Sequence, residues 1–281
     1  MDTLFLFAPL QYMLQLGILR AGHVPIVFAI VFTINLGVTY IVSVWRGDVD
    51  PVFPYISASA DNRPESCVFG MLLNLCSGLS VLIIYMRYSL IVELNRGSDL
   101  LLQNANILGL IAGVLGAVGM FGVANFQETS VVMIHLVFAF ICFGSGCVYM
   151  LLQSFITLHM YPLYSNRRIG YIRSSIALIS VLLFITSVTF GVLASAEFHK
   201  VYPDLPTPRP WSRRIYEPGY NLHCFSAIAE WLLSISNTVF FVSFSRDFEK
   251  IVVEFRVSPL VNHLDQSPLW QSTNDLTEHG Y

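Results

Sequence analysis

The sequence predicts an all-α fold, a polytopic membrane bundle of six transmembrane helices with both termini in the cytosol. Of the 281 residues, 55% are hydrophobic and only 12% are charged, and the mean hydropathy is +0.64. Soluble domains usually carry about 25% charged residues, so this chain has too little polar surface to cover a globule. No ten-residue alternating pattern recurs along the chain, which argues against a transmembrane barrel.

Six hydrophobic runs are long enough to cross a bilayer core of about 30 Å, which takes roughly 20 helical residues. They lie near residues 24–45, 68–86, 105–124, 131–157, 173–196 and 222–244. Helices are predicted for all six because lipid offers no partner for backbone N–H and C=O groups. We therefore divide the chain into three parts: an apolar interfacial segment over 1–23, a membrane domain over 24–245 and a cytosolic tail over 246–281.

The connections between the runs differ in length and character. Polar residues predict a first loop over 46–66 and a second loop over 87–104, whereas the third connection, near 125–130, is very short. The fifth connection, 197–221, holds five prolines, which exclude a helix there. Six spans place both termini on one side. That side would hold nine lysines and arginines against six on the other, which favours cytosolic termini.

Composition and motifs exclude several functional classes. The net charge of -3 gives no basic surface for nucleic acid. The five cysteines have no C-x-x-C spacing, so we expect buried thiols and no metal site, and we leave open a disulfide between Cys67 and Cys224. No G-x-S-x-G, H-E-x-x-H or Walker motif occurs. We expect no cofactor and no enzymatic activity, with an intramembrane lipid-modifying reaction as the alternative.

Small residues form a stripe on the third span. Gly109, Gly113 and Gly116 recur at spacings of four and three, which lets a neighbouring helix approach closely. Packing within the chain is the simpler interpretation, and a homodimer face is the alternative.

A short amphipathic helix is predicted after the sixth span. Phe248, Ile251, Val252 and Phe255 recur at i, i+3, i+4 and i+7, with basic residues between them. This pattern is typical of a helix that lies on the surface of a membrane leaflet.

Polar residues inside the spans are costly and need a partner or a function. Glu230 follows His223 by seven residues, nearly two helical turns, so the two side chains share a face. The alternation of the helices is expected to gather a luminal polar cluster of Asn74, Asn125, His135, His223 and Glu230. Two interpretations stay open: a hydrogen-bonded network that fixes packing, or a polar cavity that binds a lipid headgroup or responds to pH.

Several short blocks of sequence occur in a familiar order. These are Asp50-Pro51, Pro54-Tyr55-Ile56-Ser57, Pro64-Glu65-Ser66-Cys67, Phe69-Gly70, Leu73-Asn74, Arg87-Tyr88, Val123-Ala124-Asn125-Phe126-Gln127, His135, Leu152-Gln153-Ser154, His223, Glu230-Trp231 and Asp247-Phe248. With these blocks the chain resembles the DRAM family, the damage-regulated autophagy modulators, over about residues 24–250.

The resemblance implies a six-span protein of lysosomal and endosomal membranes that regulates autophagy, with some members linked to apoptosis. The wider superfamily includes proteins that remodel GPI-anchor lipids and plasma-membrane scaffolds for phosphoinositide kinases, and these are the alternative functions. The resemblance supplies no catalytic residues. We expect the chain to act by binding membrane lipids or other membrane proteins, and to have no nucleic-acid partner.

Overall fold

Six long helices make up most of the described chain. The computed structural model describes residues 20–96, 99–205 and 215–252. The helices are α1 (Val24–Arg46), α2 (Glu65–Asn95), α3 (Leu100–Asn125), α4 (Val132–His159), α5 (Arg167–Val201), α6 (Tyr220–Val242) and the short α7 (Ser245–Phe248). Helices α1 to α6 are long and apolar enough to cross a membrane, and the described residues contain no strand. The predicted all-α, six-span fold is confirmed.

Local sequence signals set where several helices begin and end. Helix α1 ends at Gly47, which adopts a left-handed conformation with φ 75° that glycine tolerates without steric cost. Asp99 caps α3, its carboxylate accepting from the backbone N–H groups of Leu101 and Leu102. Asn166 caps α5 in the same way through the N–H of Arg168.

Consecutive helices pack against each other, and α6 returns to contact α1, so the bundle closes into a ring. Short connections make neighbouring helices antiparallel. One end of the bundle, named here the first-loop face, holds the connections 47–64 and 126–131 and the described residues 202–205 and 215–219. The other end, the terminal face, holds residues 96 and 99, the connection 160–166 and residues 243–251.

The second loop predicted over 87–104 is much shorter in the structure. Helix α2 continues through Asn95 and α3 begins at Leu100, so only residues 96–99 connect them. Arg87, expected in this loop, is 3% exposed within α2, and Arg173 is 1% exposed within α5. Hydropathy alone ended the runs too early, because a charged side chain can stay inside a span when it is paired.

A charge cluster of Arg87, Arg173 and Asp247 supplies that pairing at the terminal face. Both guanidinium groups donate to Asp247 Oδ2, Arg87 at 3.0 Å and Arg173 at 2.7 Å. Thr157 of α4 accepts from each arginine as well, at 3.3 and 3.0 Å. Both guanidinium groups also lie over the ring of Phe244. The cluster therefore ties α2, α4, α5 and α7 together.

The predicted amphipathic tail helix differs from the structure. Helix α7 ends at Phe248, which is fully buried in the bundle rather than lying on a membrane surface. Ile251 and Val252 follow outside any helix, and Val252 is 85% exposed. The physical reason is the preceding residue: both arginines hold Asp247, which brings Phe248 into the core. Phe255 lies outside the described residues, as does the interfacial segment up to residue 19.

Candidate functional site

The first loop folds back over the helix ends. The Tyr55 hydroxyl donates to Ser226 Oγ of α6 at 2.8 Å, and the indole N–H of Trp231 donates to the Pro54 carbonyl at 2.9 Å. The Tyr40 hydroxyl of α1 donates to the Pro51 carbonyl at 2.8 Å. Side chains of α1 and α6 thus hold the loop against the first-loop face.

The same loop is also bonded to the short connection between α3 and α4. The Ser57 hydroxyl donates to Glu128 Oε2 at 2.8 Å. The backbone N–H and the hydroxyl of Thr129 both donate to Asp61 Oδ1, at 3.1 and 2.8 Å. The loop therefore bridges opposite sides of the helix ring and covers the space inside it.

Beneath the loop lies the central cavity, which is about 870 Å³ and is lined by all six long helices. Its lining on α4 runs from Val132 to Tyr149, a span of about 26 Å at 1.5 Å per residue. Half of a bilayer core is about 15 Å. The cavity is therefore deep enough to take an extended chain longer than one leaflet.

Polar groups concentrate at the loop end of the central cavity. The lining there includes Glu128, His135, His223, Ser226 and Glu230. The Glu230 carboxylate faces the backbone N–H of Ile56 and lies near Glu128. The His223 ring packs edge-on against Tyr55, with ring centroids 4.7 Å apart. Two carboxyl groups and two imidazoles thus share one end of the cavity.

The hydrogen bond of His135 fixes its tautomer when the ring is neutral. His135 Nδ1 lies 2.6 Å from the Phe126 carbonyl oxygen, which can only accept. Nδ1 must therefore carry the proton, so that Nε2 is an acceptor.

Glu128 lies in the connection between α3 and α4, outside the spans. Burial, opposed by the Ser57 hydroxyl and assisted by the nearby Asp61, raises the pKa of its carboxyl to about 7. Glu128 therefore exchanges a proton near neutral pH.

The remaining wall of the central cavity is mostly apolar, with a few polar side chains such as Asn237 and Thr238. Leu136 and Phe140 of α4 line the cavity and are 51% and 58% exposed. Val188 and Val192 of α5 also line it and are 40% and 64% exposed. Exposed lining residues on two neighbouring spans indicate a lateral opening between α4 and α5.

A polar group without a partner lies far from the loop. Tyr149 lines the cavity and is 2% exposed, and its hydroxyl has no hydrogen-bond partner among the residues that the structure describes. A buried hydroxyl left unpaired is costly, which favours a ligand or water reaching it.

The structure divides the predicted polar cluster into two groups. His135, His223 and Glu230 line the central cavity together. Asn74 and Asn125 instead bond each other, Nδ2 to Oδ1 in both directions at 3.2 and 2.9 Å, and do not line it. The asparagine pair joins α2 to α3 and is a packing contact.

The glycine stripe of α3 faces other helices of the same chain. A Cβ at Gly109 would meet Gln153 of α4, and a Cβ at Gly113 would meet Ile84 of α2. Gly116 lies opposite the backbone of α4 with ordinary contact distances. The closest approach to α4 is at two glycines outside the predicted stripe, Gly119 and Gly122, where a Cβ would overlap with α4 atoms.

Sequence reasoning missed several residues of the site. Glu128 lies in a short connection between two spans, and no pattern in the neighbouring sequence predicts that its side chain is buried. Tyr55 and Ser57 fall in one of the blocks that carry the family resemblance, which was the one signal that could have found them. No disulfide joins the five cysteines, all of which lie in described segments. Within those segments no group of three or more histidine, cysteine, aspartate or glutamate side chains could hold a metal ion.

Comparison with known proteins places this architecture in a family. The model of the Frag1/DRAM/Sfk1/Cwh43P N-terminal domain matches residues 20–251. The chain belongs to this family. The membership confirms the resemblance predicted from the sequence blocks, and the matched range includes every residue of the central cavity. No solved structure matches the chain.

Curated members of the Frag1/DRAM/Sfk1/Cwh43P family align with most of the chain. DNA damage-regulated autophagy modulator protein 2 of Mus musculus is 32% identical over 218 residues, which cover 76% of this chain and 79% of that protein. DNA damage-regulated autophagy modulator protein 1 of Xenopus laevis is 31% identical over 234 residues, covering 83% and 93%. Modulator of macroautophagy TMEM150B of Danio rerio is 32% identical over 145 residues, covering 51% and 60%.

Proposed function

We propose that this chain modulates autophagy from a lysosomal or endosomal membrane and that it acts by binding a membrane lipid in the central cavity. The names of its relatives support the process. The cavity supports the mode of action, because modulation by a ligand needs a site that can be empty or occupied.

One observation carries the lipid assignment: the central cavity has a polar end and an apolar body with an opening toward the bilayer. Ligand sites usually measure about 300–1,000 Å³ and are mostly apolar with a few placed polar groups. At about 870 Å³, this cavity fits that description. A lipid is the molecule that can enter between α4 and α5 without crossing water.

The orientation we propose places the first-loop face in the lumen and the terminal face in the cytosol. The terminal face carries basic residues outside the charge cluster, including Arg96, Arg167, Arg168, Arg246 and Lys250. This agrees with the enrichment of lysine and arginine in cytosolic segments. The polar end of the cavity then meets an acidic lumen, and the tail is available to cytosolic partners.

The test is to fill the cavity and measure autophagic flux. Ala139 of α4 lines the cavity, whereas Ala196 of α5 is exposed and does not line it. In cells lacking the native protein, we expect Ala139→Trp to fail to restore flux and Ala196→Trp to restore it at equal protein level and equal lysosomal localisation. Full rescue by Ala139→Trp would exclude the cavity from the function.

A second candidate function is lipid remodelling. The observation that favours it is the convergence of Glu128, Glu230, His135 and His223 at the cavity end, since carboxyl and imidazole groups perform general acid–base catalysis. Incubation of the purified protein with GPI-anchor lipids or phospholipids tests it. Turnover that is abolished by Glu230→Gln would make the chain an enzyme, whereas absence of turnover supports the binding function.

A further inference from the structure

The structure assigns a ligand class to the central cavity: we infer that it binds a long-chain amine that carries no phosphate, such as a sphingoid base. This inference rests on the proposed lipid-binding function and adds the identity of the headgroup.

The apolar wall accepts an acyl chain but cannot select one lipid over another. Lipid tails are as apolar as the leucine and valine side chains that they would contact, so moving a chain from the bilayer into the cavity changes little. Leu136, Phe140, Val188 and Val192 therefore provide entry for many lipids. Selection must come from the polar end.

The polar end holds carboxyl groups, and no lysine or arginine lines the cavity beside them. Among the residues that line the cavity, Glu128 and Glu230 are acidic and none is lysine or arginine. Asp61 adds a third carboxylate next to Glu128, bonded to Thr129. A phosphate group placed there would meet no lysine or arginine of the lining and would face a like charge whenever a carboxyl ionises, which disfavours the common anionic headgroups.

An ammonium group matches the acceptors that are present. It offers three N–H donors and no acceptor. Glu128 uses Oε2 for Ser57, and the neutral ring of His135 offers Nε2 as an acceptor, while Glu230 provides a second carboxylate. A buried charge is stable when it is paired, so a cation between the two carboxylates removes their mutual repulsion.

The cation is organic rather than a metal ion. No cluster of three or more metal-binding side chains occurs in the described segments. The cavity extends about 26 Å along α4, which is far more than a metal ion needs. This length leaves room for the chain of an amphiphile.

Photocrosslinking of the purified full chain in phosphatidylcholine nanodiscs tests the inference. Four probes with the same diazirine-bearing chain differ only in the headgroup: a sphingoid amine, its N-acetyl derivative, its phosphate ester and a fatty acid. We expect the amine to label peptides of α4 and α6 at concentrations at least tenfold lower than the other three. Butylamine, which has the headgroup charge and a short chain, should compete only at a large excess.

Variants of residues that line the cavity test where the amine binds. Glu230→Gln and Glu128→Gln should each weaken amine labelling at least tenfold. Glu197→Gln is the matched control, because Glu197 pairs with Lys200 on the surface of α5 and should label like the natural protein. Gel filtration and thermal unfolding of each variant confirm folding, and the headgroup comparison on the unaltered chain stands without any variant.

The possible results distinguish failure of the amine assignment from failure of the proposed lipid-binding function. Equal labelling of the cavity by all four probes would overturn the amine assignment and leave lipid binding intact. Strong competition by butylamine at probe concentration would overturn the lipid as the source of the amine. Labelling confined to the outer surface, or absent with every probe, would refute the amine assignment and lipid binding together.

Discussion

Arg173 donates from Nη2 to Asp247 Oδ2 at 2.7 Å, a contact that spans 74 residues of sequence. The guanidinium lies within α5, where it is 1% exposed, and the carboxylate belongs to α7. This ion pair, shared with Arg87, explains how two arginines occupy spans of an apolar bundle. The ion pair also holds α7, which lies near the end of the described residues, against the helix ring.

Removal of Arg173 is expected to destabilise the protein. Breaking one side of a buried ion pair typically costs about 3–5 kcal/mol, because the partner charge stays buried. Asp247 is partly exposed and Arg87 remains beside it, so we expect Arg173→Ala to lose up to about 3 kcal/mol in unfolding measurements in detergent. Arg167→Ala is the control, since Arg167 is exposed, lies over the rings of Tyr161 and Tyr171 and donates to the Tyr171 hydroxyl at 2.9 Å. Similar losses for both variants would contradict the account.

Stability should fall as pH rises from about 4.5 to about 7 because of Glu128. Its pKa is raised from 4.5 to about 7 in the folded protein, so the folded state keeps a proton that the unfolded state releases. The free energy of unfolding is then highest below the unfolded pKa and levels off above the folded one. Thermal unfolding in nanodiscs near pH 5 and pH 8 measures the difference.

The variant Glu128→Gln should reduce this pH dependence, since glutamine resembles the protonated carboxyl at every pH. Glu197→Gln should leave the dependence unchanged. A pH dependence that is the same in Glu128→Gln as in the natural protein is incompatible with a proton held at this position.

Substitution of the α3 glycines should separate close approach from ordinary contact. A Cβ at Gly119 would lie 2.6 Å from Cys142 Cα, whereas a Cβ at Gly116 would lie 3.5 Å from the Cys142 carbonyl oxygen. Overpacking typically costs about 1–3 kcal/mol, so Gly119→Ala should lower stability by that amount. Gly116→Ala should have little effect. If both lower stability equally in the same unfolding assay, α3 and α4 do not pack in this register.

The asparagine pair should contribute modestly. Polar contacts between membrane helices average about 0.6 kcal/mol in double-mutant cycles, with a maximum near 1.7. We expect a coupling free energy in that range between Asn74→Ala and Asn125→Ala, and unchanged lipid binding in all variants. Strict additivity would mean that the two side chains do not interact, and loss of binding would bring them into the site.

The number and kind of helices followed from hydropathy, because lipid forces long apolar runs into helices. The ends did not. Helix α2 was expected to stop near residue 86, since Arg87 reads as a loop residue, and its compensation comes from Asp247, 160 residues away. Within the described residues the helix after the sixth span ends at Phe248 and does not continue through Ile251 and Val252, because a distant ion pair holds Asp247 and periodicity cannot show that contact.

The candidate site was predicted in part. The seven-residue spacing of His223 and Glu230 places both on one helix face, and both line the central cavity with His135. Glu128 and the returning first loop could not be found, since their burial depends on Ser57 and Tyr55 meeting α3–α4 and α6 across the ring. Contacts between segments that are distant in the chain produce no periodic pattern in a single sequence.

The central claim, that the cavity holds a lipid, is tested most directly by measuring the lipid that co-purifies with the protein. After extensive detergent washing, quantitative lipid extraction should find about one molecule per chain for the natural protein and for Ala196→Trp, and a several-fold lower amount for Ala139→Trp. Equal retention by Ala139→Trp and Ala196→Trp, with both folded, would contradict the claim.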